Sequence, residues 1–260
     1  MKPNAIHPVR VTRVRTDTTE RDNDELCTEE PLQIDAASEP DTPVAVTMRT
    51  PGNDLDLALG FAISEGLADI ESLPAIDQPD SHRVRIHLTG TGAVRDRLTR
   101  FGVINASCGL CGKTTIEALR ASGLRPISEP RLQPSQQVLM ALPSRLKRRQ
   151  TIFRQTGGIH AAALFSETGE LVLVREDIGR HNAVDKVVGA ALHQSLLPAT
   201  GYGLLLSGRI GFDLVQKAVA ARIPMVAAVG APSSLAVLTA REFNLGLVGF
   251  LSATRYNVYA

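Results

Sequence analysis

The sequence predicts an α/β protein whose C-terminal half is a βαβαβ unit, with a smaller α+β part before it. Three observations carry this. The runs GLLLS (203–207), PMVAAVG (224–230) and LGLVGFL (245–251) have the length and near-continuous hydrophobicity of buried parallel strands. Between them, FDLVQKAVAARI (212–223) and SSLAVLTAREFN (233–244) carry apolar residues at helical spacing. Strand–helix–strand alternation of this kind makes a sheet covered by helices on both faces, a three-layer sandwich.

The elements follow in chain order. Residues 1 to about 28 are polar, mixed in charge and without a period, and are expected to be a mobile arm. PLQIDAA (31–37) and PVAVTMRT (43–50) read as a β-hairpin around a polar turn. NDLDLALGFAISEGL (53–67) is helical, with Leu55, Leu59, Ala62 and Ile63 on one stripe and Asn53 or Asp54 as the cap. RVRIHL (83–88) alternates basic and apolar residues, as a half-exposed strand does. A helix carrying two cysteines is expected to end near Arg120, which places an N-terminal α+β part at 29–125. SGLRPISEPRLQPSQQ (122–137) is rich in Ser, Pro and Gly, and a connecting segment is expected over 126–150. In the remaining part, 151–260, HAAALF and LVLVRED flank SETGE as a hairpin, NAVDKVVGAALHQSLL is helical, and the βαβαβ unit completes the chain.

Composition narrows the function. Apolar residues make up 43% and charged residues 21% of 260, as in soluble globular proteins, and a formal net charge of +1 argues against bulk nucleic-acid or membrane-surface binding. Trp is absent and aromatics are 4%, so a base-stacking platform for single strands is not expected. No apolar run reaches the roughly 18 residues of a membrane span, and the N-terminus lacks the apolar stretch of a secretory signal. Three cysteines make no disulfide framework; a reducing cytoplasm is the expected compartment.

Two of those cysteines stand in NASCGLCGKTTIEALR as Cys108-Gly-Leu-Cys111. At a helix N-terminus, capped by Asn105 or Ser107, Cys108 would face unpaired N–H groups that favour thiolate. Such thiols have pKa values of about 3.5–7.5 and are nucleophilic at neutral pH. Three chemistries are open: half of a zinc site, a redox disulfide, or sulfur relay, in which a thiolate carries a persulfide and a neighbouring thiol helps release it. GKTT (112–115) resembles the end of a phosphate-binding loop, but the Gly required at 107 is Ser, which excludes that reading.

Elsewhere, His160 follows a Gly pair in TGGIHAAALF; a zinc deaminase needs Glu two residues on, where this chain has Ala162. REDIGRHNAVDK (175–186) gathers Arg180, His181, Asn182 and Asp185 at a helix start, suited to anchoring a phosphate or a loop. Ser207 and Arg209 stand at a strand end, where ligands of such sheets bind. Cys27 is alone in the arm and is taken as incidental.

Together, EEPLQI, LALGFAISEG, SCGLCGK, FRQTGGIHAAAL, EDIGRHNAVDKVVG, SGRIGFDLVQKA, IPMVAAVGAPSSLAVLTA, LVGFL and YNVY, in that order over about residues 29–259, resemble the FdhD/NarQ family of formate dehydrogenase accessory sulfurtransferases. The resemblance implies a cytidine-deaminase-like sandwich and a cytoplasmic carrier. That carrier would take sulfur from a cysteine desulfurase and hand it to the molybdenum bis(molybdopterin guanine dinucleotide) cofactor of formate dehydrogenase. It places the persulfide on Cys108, with Cys111 as the second thiol of the motif. It makes 151–260 the cofactor-binding part, with the binding stretch at Phe250, Leu251, Ser252, Ala253, Thr254 and Arg255. The family usually has Arg soon after the Phe, where this chain has Ser252. His160, Arg180, His181, Ser207 and Arg209 are further candidate contacts to the cofactor or an anion. A homodimer is expected, and no tightly bound metal. The strand ends 207–209, 229–234 and 250–255 should converge, because strands of one βαβαβ unit share a direction. Their Arg209, Arg255 and the hydroxyls of Ser207, Ser233, Ser234 and Thr254 would suit a diphosphate, so GDP should bind there as a fragment of the cofactor.

Overall fold

The computed structural model of the chain describes residues 4–37, 43–88, 123–128 and 132–260. The N-terminal segment forms regular structure where a mobile arm was expected. Strands β1 (Ile6–Arg15) and β2 (Thr18–Cys27) pair antiparallel as a two-stranded ribbon. Its logic is charge across the ladder. Arg13 meets Asp22, and Arg15 lies 3.0 Å from Glu20. Cross-strand ion pairs of this kind mask the apolar alternation that marks most strands. No residue of the ribbon is fully buried.

Strands β3 (Glu30–Ala36), β4 (Pro43–Arg49), β5 (Ala75–Asp80) and β6 (Arg83–His87) form a sheet in the order β4-β3-β6-β5. The expected β3–β4 hairpin is present, and β5 is an addition that its polar sequence, AIDQPD, conceals. Helix α1 (Asp54–Ser64) covers this sheet, with Leu57, Ala58 and Ala62 packed against Leu32, Ile34, Val84 and Ile86. Asn53 precedes α1 in the left-handed region and makes no side-chain cap.

The connecting segment also differs from expectation. It contains helix α2 (Gln136–Arg149), followed at once by the short helix α3 (Thr151–Thr156). Ser135 caps α2 by accepting from Val138 N, and Leu139, Leu142 and Leu146 bury its one apolar stripe. Then come β7 (His160–Ser166), β8 (Leu171–Asp177), α4 (Arg180–His193), β9 (Tyr202–Leu206), α5 (Phe212–Ala220), β10 (Met225–Ala228), α6 (Ser234–Glu242), β11 (Gly246–Gly249) and β12 (Asn257–Val258). The six strands form one sheet in the order β12-β11-β10-β9-β7-β8, with β9, β10 and β11 parallel.

Strand alternation sorts the sheet into two faces. Ala162, Leu164, Leu204, Leu206, Val226 and Leu247 join the core beneath α4, α5 and α6. Ala161, Ala163, Phe165, Leu205, Ala227 and Val248 meet the leucines of α2. The result is the expected three-layer α/β arrangement.

Helices α1 and α4 join the two halves. A Cβ on Gly60 would lie 1.8 Å from the Asp185 carbonyl oxygen, and one on Gly189 would lie 1.9 Å from that of Asp56. Backbone meets backbone at both points, and only glycine permits it. Polar links reinforce the junction: Asp56 accepts from Arg175 at 2.9 Å, and its other oxygen lies 2.8 Å from His193 Nδ1, while within the N-terminal half Arg49 grips Asp54 through two bonds of 3.0 Å.

Candidate functional site

Parallel β9, β10 and β11 all end at one edge of the sheet, and antiparallel β7 begins there. The ends are tied by backbone bonds: Gly230 N to Gly208 O (3.1 Å), Ile210 N to Ala231 O (3.0 Å), Ser233 N to Ile210 O (2.9 Å) and Phe250 N to Gly230 O (3.0 Å). The expected convergence of 207–209, 229–234 and 250–255 is therefore present. Close packing explains the glycine of SGR. A Cβ on Gly208 would sit 3.2 Å from the His160 ring.

The same edge collects His160, Arg180, His181, Ser207 and Arg209. Ser207 Oγ accepts from Ala161 N at 2.8 Å, fixing the start of β7 beside His160. Burial pushes the His160 imidazole below its ordinary range, and Arg180 and Arg209 add to this against the opposing pull of Asp177. Burial likewise pushes His181 down to about 4, although Asp213, which its Nε2 meets, pulls the other way. Both shifts disfavour the imidazolium form, and the arginines supply the positive charge. Arg180 Nε is buried without a hydrogen-bond partner among the described residues. An unsatisfied buried donor is costly, so an orphan beside a cleft suggests a place for an anion.

The rest of the REDIGRHNAVDK stretch does other work. Asp177 pairs with Lys186 at 2.7 Å, both fully buried, and accepts from Thr50 N, Gly179 N and Asn182 Nδ2. Asp185 pairs with Lys217 at 2.8 Å and accepts from Ser64 Oγ. Glu176 accepts from Ile152 N and Phe153 N, capping α3. Asn182 and Asp185, expected at the anchoring cluster, instead fasten α4 to the N-terminal half.

At the end of β11, Phe250 is 42% exposed and has a φ of 53°. An aromatic residue in the left-handed region is strained, and such residues gather at functional sites. Leu251 points into the core beneath α2. The Ser252 hydroxyl accepts from Arg255 N at 3.1 Å and donates to Arg255 O at 3.0 Å, so this turn spends it. Ala253, Thr254 and Arg255 are exposed. The Ser233 hydroxyl is also spent, on Ala236 N at the start of α6.

A cavity of about 590 Å³ opens between α2–α3 and these strand ends, lined by Lys147, Gln150, Phe153, His160, Ser207 and Val229 among others. Lys147, Gln150, Phe153 and Asp213 were missed in sequence, the first three because a Ser/Pro-rich stretch hid the helices that carry them. The Leu139, Leu142, Leu146 spacing was the available signal. Cys108 and Cys111 lie outside the described residues. Cys27 Sγ lies 2.9 Å from Thr50 Oγ1, and burial pushes its thiol up, away from the reactive thiolate. Among the described residues, no helix is long and apolar enough to cross a membrane.

The model of the FdhD/NarQ family matches residues 27–260. The chain belongs to the FdhD/NarQ family. Relatives share its full extent. The "Sulfur carrier protein FdhD" of Streptomyces coelicolor is 46% identical, over 96% of this chain and 92% of its own. That of Sulfurisphaera tokodaii is 38% identical, over 98% and 96%. A crystal structure from Desulfotalea psychrophila, described as a candidate formate dehydrogenase accessory protein, superposes with a TM-score of 0.78 at 21% identity, covering 98% of this chain and 97% of that one. That likeness shows that the FdhD/NarQ fold described here recurs in a solved structure.

Proposed function

We propose that this chain is a cytoplasmic sulfurtransferase serving formate dehydrogenase, acting as a homodimer and loading sulfur on Cys108. The name shared by its relatives, sulfur carrier protein, carries the reading. The cysteine desulfurase presents a persulfide. The Cys108 thiolate attacks its outer sulfur, so Cys108 becomes the persulfide and the donor leaves as thiolate. The Cys111 thiolate then attacks the inner sulfur of Cys108. A Cys108–Cys111 disulfide forms, sulfide departs to the acceptor, and a cellular thiol reductant restores the pair.

The acceptor on this reading is molybdenum bis(molybdopterin guanine dinucleotide), held at the strand-end edge. The residues there fit its charge. Arg180 and Arg209, with Arg255 on the neighbouring turn, face a diphosphate with cations. Phe250 offers an exposed ring. Leu251 and Ser252 contribute backbone and turn geometry, and Ala253 and Thr254 lie on the open side of that turn.

Intact-mass measurement after incubation with a cysteine desulfurase and cysteine tests the carrier step. A reversible gain of one sulfur atom, lost in Cys108→Ala, is expected; full sulfur transfer by Cys108→Ala overturns it. Calorimetry tests the acceptor: GDP binds, GMP binds much less, and Arg255→Ala weakens GDP binding while Cys108 still loads. No measurable GDP affinity would remove the cofactor from the reading and leave a relay.

A further inference from the structure

Gln150 is a buried polar residue whose side chain makes no hydrogen bond among the described residues. It is 5% exposed and joins α2 to α3. A residue at the N-cap position of a helix commonly spends its side chain on the first turn. Gln150 makes no such bond. Glu176 has taken that role, accepting from Ile152 N at 3.0 Å and Phe153 N at 2.9 Å from across β8. The carboxamide of Gln150 is left lining the 590 Å³ cavity. A carboxamide on a cavity wall, unbonded to the described residues, is free to pair with what enters the cavity.

The surroundings say what would satisfy it. Leu146, Phe153, Ile159, Ile178 and Val229 provide apolar walls. Lys147, three residues before Gln150 on α2, belongs to the same lining, and no carboxylate is among the described lining residues. The volume suits a single fused ring system with substituents. The ligand is therefore flat, largely apolar in its faces, polar along an edge, and anionic at one end. A carboxamide offers an acceptor and a donor side by side, which match the C=O and N–H of a cyclic amide.

We infer that Gln150 reads the 2-amino-4-oxopyrimidine edge shared by guanine and pterins, in a heterocycle seated in this cavity. This rests on the cofactor reading above, whose acceptor carries both rings. Gln Nε2 donates to the ring carbonyl, and Gln Oε1 accepts from the adjacent ring N–H. Lys147 faces the phosphate that follows, and His160 and Ser207 stand at the strand-end side of the cavity, toward Arg180 and Arg209.

The experiment is calorimetry of the full chain with GDP, ADP and 6-hydroxymethylpterin, on the unaltered protein and on Gln150→Leu, Gln150→Glu and Val229→Trp. Gln150→Leu should weaken binding of the ring it reads by about tenfold or more, the size of a lost hydrogen-bond pair at a buried site. Loss for GDP alone assigns the guanine end; loss for the pterin alone assigns the pterin end. A carboxamide can turn over to pair with adenine, whereas a carboxylate can only accept. Gln150→Glu should therefore keep the 2-amino-4-oxo ring, which presents two N–H groups, and lose ADP. Val229 is 42% exposed, so Val229→Trp fills the cavity from its open side without disturbing the core, and it should block the same ring. Equal affinities in all three variants overturn the inference, as does unchanged binding in Val229→Trp if the Gln150 variants do not fold. If the unaltered protein binds none of the three probes while Cys108 still loads, the cofactor reading itself has failed.

Discussion

Two polar clusters lie on either side of the start of α4, and they are built in opposite ways. Toward the N-terminal half, Asp177, Lys186, Asp185, Lys217, Arg49 and Asp54 are buried and paired within the protein. Toward the strand ends, among the described residues, Arg180 Nε and the Gln150 carboxamide make no hydrogen bond, and burial disfavours the charged form of His160 and of His181, which meets Asp213. Both clusters draw on one stretch of sequence, EDIGRHNAVDK. Asp177, Lys186 and Asp185 also bond to Thr50 and Ser64 and so tie the halves together; the unpaired groups are those the proposed ligand would use.

The largest effect should come from breaking a satisfied pair. Lys186→Met strands the Asp177 carboxylate with 0% exposure, and urea unfolding should show a loss of about 3–5 kcal/mol. A loss no greater than that of a surface substitution would erase the distinction between the clusters. Next is the junction itself. Gly189→Ala puts a methyl 1.9 Å from the Asp56 carbonyl, so the helices must separate, at about 1–3 kcal/mol or more. The same unfolding measurement checks it.

The open cluster should show itself through pH. His181 titrates near 6.5 when unfolded and about 4 when folded, so the unfolded chain binds the proton first as pH falls. Its contribution is present above pH 6.5 and is lost between about 6.5 and 4, with a slope of at most about 1.4 kcal/mol per pH unit. His160, also lowered, acts in the same direction. His181→Gln should flatten the stability profile across that window. An unchanged profile would mean that the ring is not held neutral. The smallest effect sharpens the boundary of the site. Ser233→Ala removes the α6 cap, should cost about 1 kcal/mol, and should leave Cys108 loading untouched.

Legibility in the sequence followed the source of each element's stability. β9, β10 and β11 were readable because their own side chains are apolar on both faces, so burial is written locally. The ribbon β1–β2 was not, since its order comes from charge pairs such as Arg15–Glu20 that exist only once the strands face each other. Helix α2 lost to the prolines around it, although its leucine spacing was regular. At the site, His160, Arg180, His181, Ser207 and Arg209 were found because small residues and arginines at strand ends are a local signal. Gln150 was invisible. Nothing in its neighbours says that Glu176, from a different strand, takes over the cap and frees its side chain.

The glycine crossing of α1 and α4 leaves those helices no slack. At contacts where even a methyl has no room, neither can slide or roll without carrying the other, so the pair behaves as a single lever. One end of that lever carries Arg180 and His181. Helix α1 also packs on β6, after which the chain runs on to residues 89–122. A load on the end that carries Arg180 and His181 is therefore shared with the helix that covers β6.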